Sequence, residues 1–136
     1  MKSTLLLLIC CLIFSCSRND DPIKYCNGNI IGFDPCSFNK EGISKGYVIM
    51  SSDKKLTLKT FNLPDSIYTF KKEYFSDYVE TSYFPISIRD SFPITIKYTV
   101  ADKSQFVYTG CLANINTSEF NNAIQVITIS ASKPKK

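Results

Sequence analysis

The sequence predicts a mainly β protein, a small closed barrel of five or six strands with one short helix, preceded by an export signal. Three observations carry that prediction. The chain has 136 residues, one domain's worth. Beyond position 40 it is rich in Ile, Thr, Tyr and Phe, side chains that suit a pleated, half-buried surface. Its apolar residues fall in short runs separated by turn residues, the spacing of strands in a small barrel or sandwich.

The elements follow in order. Asn27-Gly28-Asn29-Ile30-Ile31-Gly32-Phe33 reads as a first short strand after a turn, ended by Asp34-Pro35-Cys36. Asn39 to Gly42 is a loop. Gly46 to Met50 is a strand apolar throughout, and Ser51 to Lys54 is a polar turn. Leu56 to Phe61 alternates in polarity and pairs with the preceding strand as a hairpin. Asn62-Leu63-Pro64-Asp65-Ser66 then breaks the pattern. Pro64 forces its predecessor out of helical geometry, and Asp65 or Ser66 is placed to cap a new helix.

Phe70, Tyr74 and Tyr78 stand at i, i+4 and i+8, which predicts a short helix near Lys71 to Tyr78. Eight aromatic residues lie between Phe61 and Phe84. They have two readings. Tyr68, Tyr74, Tyr78 and Tyr83 present a surface for a ligand or partner, or the segment caps the open end of the barrel, which is the simpler expectation.

A near-repeat follows, FPISIRDS and FPITIKYT. In the second copy Ile94, Ile96, Tyr98 and Val100 share one face while Thr95, Lys97 and Thr99 share the other, the clearest half-buried strand in the chain. Pro85 and Pro93 fit strand starts or edges. Ala101 to Ser104 is a turn, and Gln105 to Gly110 is expected to return as a partner strand. A polar loop spans Asn114 to Asn122, and Ala123 to Ile129 is the last strand. Closing such short strands into a barrel removes exposed edges. A helix after the third strand fits an OB-like Greek-key barrel.

The N-terminus is an address. Lys2 precedes an apolar run from Leu5 to Phe14 that is too short to span a bilayer and fits a cleaved signal. Ile13-Phe14-Ser15-Cys16 resembles the lipobox of bacterial lipoproteins. That resemblance implies cleavage before Cys16 and acylation of its thiol, with Cys10 and Cys11 leaving with the signal. Acyl chains supply membrane affinity at roughly 0.8 kcal/mol per buried CH2. Ser17-Arg18-Asn19-Asp20-Asp21 resembles the tag of Bacteroidetes-type lipoproteins exported to the outer face of the outer membrane. The expected division is a signal over 1–15, a lipidated tether over 16–25, one barrel domain over 26–131 and a basic tail over 132–136.

Of six cysteines, Cys26, Cys36 and Cys111 remain after the first three. An odd number in an oxidising compartment predicts one disulfide and one leftover thiol, with three pairings open. Widely spaced thiols, no C-x-x-C pair and no histidine argue against a metal site or an activated cysteine nucleophile.

With these residues in hand, the chain resembles a group of small Bacteroidetes-type outer-membrane lipoproteins. The resemblance rests on Cys36, Gly46-Tyr47-Val48-Ile49, Asn62-Leu63-Pro64, Ile96-Lys97-Tyr98 and Cys111. It implies a small OB-like barrel with Cys36 bonded to Cys111. The chain departs from the group in its extra Cys26 and its longer aromatic segment after Pro64. The group brings no activity with it.

The functional expectation is a non-catalytic binding or accessory module, anchored to the membrane through its lipid and docking an envelope-protein partner in an inhibitory or immunity role. The alternative is a glycan or lipid held against Tyr68, Tyr74, Tyr78 or Tyr83. Asp53, Asp65, Asp77, Glu80 and Asp90 sit mostly at expected turns and caps and form no recognisable catalytic pair. No enzyme, cofactor or metal is expected. The net charge of +4 is mild and scattered, which argues against nucleic acid. Asp65-Ser66-Ile67 resembles an O-glycosylation sequon of Bacteroidetes-type envelope proteins, although a cap is the simpler role for Ser66.

Overall fold

Five strands close into one barrel. The structure, a computed structural model, describes residues 22–34, 46–71, 74, 83–109 and 122–135. The strands are β1 (Lys24–Phe33), β2 (Tyr47–Ser51), β3 (Thr57–Thr60), β4 (Pro93–Val100) and β5 (Ile124–Ser132). Around the barrel they run β1-β2-β3-β5-β4 and close on β1. Every neighbouring pair is antiparallel except β3 and β5, which are parallel. This is the OB-like Greek-key barrel expected from the sequence.

Several boundaries differ from expectation. β1 begins at Lys24, inside the stretch assigned to the tether, because Lys24 and Tyr25 pair with Tyr98 and Lys97 on β4. β5 runs to Ser132 because Thr95 on β4 pairs with it there. The expected sixth strand is absent where it is described. Residues 105–109 form no strand, since β4 already has β1 on one edge and β5 on the other. The segment is instead turned by Asp102, whose carboxylate accepts from the Ser104 and Gln105 backbone N–H groups at 2.7 and 3.2 Å. It then lies across β5. The Gln125 amide, oriented to satisfy both groups, accepts from the Val107 N–H (2.7 Å) and donates to the Val107 carbonyl (3.2 Å).

The near-repeat also splits. Its second copy is β4, but its first forms a single 3-10 turn, η1 (Ile86–Ile88), behind Pro85. The Ile88 and Arg89 N–H groups bond back to Pro85 and Ile86. Asp65 and Ser66 start no helix. They occupy a tight turn in which the Ile67 N–H donates to the Pro64 carbonyl at 3.2 Å. The helix expected over Lys71 to Tyr78 lies outside the described residues except for Lys71 and Tyr74, which share a one-turn hydrogen bond of 3.0 Å.

The core follows strand alternation, corrected by two bulges. Cys26 and Ile30 face inward from β1, and so does Phe33, although the interval from Ile30 to Phe33 is odd. The register explains it. Ile30 opposes Ile49 and Gly32 opposes Val48, so Ile31 is an extra residue that flips the face. On β5 the extra residue is Ile129, between the pairs Lys97–Ser130 and Tyr98–Thr128. Gly28 is required by close approach, because a Cβ there would strike the Met50 carbonyl oxygen.

One side chain replaces missing ladder bonds. The β3–β5 pairing stops at Thr60 and Val126. Beyond it the Asn62 side chain takes over, accepting from the Thr128 N–H (2.9 Å) and donating to the Thr128 carbonyl (2.8 Å). Thr60, wholly buried, hydrogen-bonds the Asn62 and Thr128 side chains at 2.8 and 2.9 Å. The Asn62-Leu63-Pro64 turn thereby satisfies backbone groups that burial would otherwise leave costly.

Candidate functional site

The aromatic segment is spent largely on the core. Tyr68, Phe70 and Tyr74 come from outside the strands yet pack against inward-facing core side chains. In a closed barrel such residues enter through an end. Phe70 sits at the centre, with ring centroids 5.2 Å from Tyr47, 5.5 Å from Phe84 and 5.0 Å from Phe92. Tyr74 packs on Phe84 and Phe92 at 5.9 and 5.7 Å. These offset and edge contacts are each worth about 0.5–1.5 kcal/mol beyond the area they bury. Tyr68 is tied further by its hydroxyl, which donates to the Pro93 carbonyl at 2.6 Å, and the Lys133 ammonium lies 4.5 Å above its ring.

Tyr83 is elsewhere. It bridges to Gly32 and packs on the outer wall, in a second small cluster with Ile31, Val48, Met50 and Phe61. The four tyrosines proposed for one surface are therefore divided: Tyr68 and Tyr74 with the barrel plug, and Tyr83 on the outer wall. Tyr78 lies outside the described residues, as do Cys16, Cys36 and Cys111. Cys26 carries a free, buried thiol. Burial, and secondarily the Asp53 charge, pushes its pKa up.

The outer wall holds the concave surface. Strand alternation turns Ile31 and Met50 outward while Ile30 and Ile49 turn inward. The segment from Tyr83 to Asp90 then folds over this wall, fixed by the Phe84 N–H donating to the Ile31 carbonyl at 2.8 Å. Two cavities result. One, of about 350 Å³, is lined by Ile31, Met50, Lys54, Ile86, Arg89 and Asp90 among others. The second, of about 460 Å³, is lined by Met50, Lys55, Tyr83, Arg89, Asn122 and Ile124 among others. They share Met50 and Arg89. Volumes of this size, with an apolar floor and a few polar groups, suit small ligands or single anchoring side chains.

Arg89 is held at that junction. Its Nε–H donates to the Phe84 carbonyl at 2.8 Å, and its guanidinium carbon lies 5.0 Å from the centre of the Tyr83 ring. These contacts fix the plane of the group and leave its terminal nitrogens with no hydrogen bond or ion pair among the described residues. Lys54 is held in the left-handed region (φ 59°) by a tight turn. Its N–H donates to the Ser51 carbonyl at 2.8 Å, while the Asp53 carboxylate accepts from the Ser51 hydroxyl (2.5 Å) and the Lys55 N–H (3.2 Å). Those bonds hold the Asp53 carboxyl below the usual carboxylate range.

Sequence reasoning missed Arg89, Met50, Lys54 and Ile86. The signal available was weak: Arg89-Asp90-Ser91 interrupts the alternation of the first near-repeat copy, where β4 keeps it. The chain matches no protein-family model, no curated protein and no solved structure.

Proposed function

We propose that this protein is a lipid-anchored outer-membrane module that binds a partner in the cell envelope and catalyses no reaction. The observation that carries the binding part is the pair of cavities meeting at Met50 and Arg89, where an apolar floor lies under a fixed cation. The anchoring part rests on Leu5 to Cys16, the lipobox-like segment. The lipid supplies the membrane affinity, so the barrel wall is free to face a partner. Closure of the barrel also bears on how that partner is held. Each strand has a partner on both sides over part of its length, which leaves only short edges for strand addition, and the cavities favour recognition by side chains in a groove.

The second reading, a glycan or lipid bound by the aromatic segment, has Tyr83 on its side, beside Arg89 on a cavity wall. Tyr68 and Tyr74 give it less, because their rings are engaged in the plug.

The test is in-cell crosslinking of the native protein against Cys16→Ala, read by mass spectrometry of both the bait and its adducts. An acylated Cys16 and one enriched envelope protein, lost in the variant, are expected. An unmodified Cys16 would refute the anchor, and adducts no different from background would refute the accessory role.

A further inference from the structure

The groove has an uneven charge. Lys54, Lys55 and Arg89 line it against one acid, Asp90. The nearby Asp53 is engaged within its own turn by Ser51 and Lys55. Arg89 differs from the lysines in being fixed before any ligand arrives. Its Nε–H is committed to the Phe84 carbonyl and its face to Tyr83, so the fork of terminal N–H groups is presented with little rotamer freedom left to lose. That fork matches a carboxylate in bidentate geometry, and a cation already oriented costs less to engage.

The floor beside it is apolar. Ile31 and Met50 lie beneath, and Ile86 stands at the rim, 82% exposed. Covering a large aliphatic side chain that open takes its apolar area out of water. One cavity lies to each side of Arg89.

From this we infer that the Arg89 groove receives an acidic side chain, aspartate or glutamate, of the partner protein, with apolar neighbours of that residue entering the two flanking cavities. This inference rests on the accessory reading proposed above and names the chemistry of the partner's anchor. The barrel leaves only short edges for backbone pairing, and the basic rim selects an acid over a neutral or basic residue.

The experiment uses the full protein purified from membranes in detergent micelles, with Met and Ile methyl groups labelled for NMR. The probes are acetyl-Ile-Glu-Ile-amide, acetyl-Ile-Gln-Ile-amide and inorganic phosphate. The glutamate peptide is expected to shift the Met50 and Ile86 methyls and to bind at least about tenfold more tightly than the glutamine peptide, a difference of about 1.4 kcal/mol. Arg89→Gln is expected to erase that preference and Arg89→Lys to retain part of it, with the core methyls of Ile94 and Ile96 unmoved in both as the check on folding.

Equal binding of the two peptides, a preference that survives Arg89→Gln, or no shift at Met50 and Ile86 up to about 10 mM would overturn the inference. So would a response to phosphate alone, which would mark a general anion site. The two proposals fail separately. A crosslinked envelope partner whose contact is indifferent to Arg89→Gln would remove this site and leave the accessory role. Glutamate selectivity at Arg89 with no envelope partner would keep the site and remove that role.

Discussion

The Thr109 hydroxyl donates a hydrogen bond of 2.7 Å to the carboxylate of Asp34, which is 0% exposed. The bond ties the end of the segment that crosses β5 back to the end of β1. It also joins two positions that each stand two residues before a cysteine, Cys36 and Cys111. Lys59 lies close enough for the Asp34 charge to raise its pKa, against a larger lowering by burial.

Removing that hydroxyl withdraws a donor from a buried carboxylate. Thr109→Val is expected to lower stability by about 1.5–3 kcal/mol, read from denaturant midpoints at unchanged slope. A change below the error of the extrapolation would show that the Asp34 site does not depend on Thr109.

Cys36 and Cys111 lie outside the described residues, and their pairing, with Cys26 as the leftover thiol, is what the lipoprotein resemblance implies. Peptide mapping under non-reducing conditions is expected to find that link. Reduction of a loop this long is expected to cost about 4–5 kcal/mol in the chain-entropy model. A bridge through Cys26 would contradict both the pairing and the buried free thiol.

Asn62 stands in for a strand residue beside Thr128. Asn62→Ala leaves the Thr128 backbone N–H and carbonyl without their partner and is expected to cost about 2–3 kcal/mol. Amide exchange at Thr128 reports it directly. Unchanged protection there would mean that the turn contributes nothing to the β3–β5 seam.

Cys26 makes stability depend on pH at the alkaline end. Its pKa is raised in the fold, so the folded state favours the neutral thiol more than the unfolded chain does. The resulting stabilisation is present below the ordinary thiol value of about 8.5 and is lost as pH rises through the higher folded value. Tyr98 is also raised, first by burial and then by Cys26. As pH rises above about 8.5 the native protein is expected to lose stability more steeply than Cys26→Ala. Parallel curves would show that the thiol is not held neutral by the fold.

The fold was legible where alternation and strand pairing agree. Ile94 to Val100 alternates over its full length and is β4, and the hairpin of Gly46 to Met50 with Leu56 to Phe61 is β2–β3. It was illegible where a strand-like run had no edge to join. Gln105 to Thr109 is rich in aromatic and β-branched residues, as a strand would be, but β4 is already paired on both sides. The near-repeat diverges in the same way: the second copy keeps its alternation and meets β1, while the first loses it at Arg89-Asp90-Ser91 and forms a single turn. The groove was hidden for another reason. Arg89 and Met50 become neighbours only when the segment after Tyr83 folds over β1 and β2, and the one local sign is the break in alternation at Arg89-Asp90-Ser91.

The most direct test places a photo-crosslinking residue at Ile86, on the groove rim, and another at Ile129, an outward bulge residue 48% exposed. Both variants are expressed in the native cell envelope with the anchor intact. Adducts to one envelope protein from position 86, absent from position 129 and lost on adding Arg89→Gln, are the predicted result. Adducts that are equal at the two positions, or absent from position 86, would contradict the account.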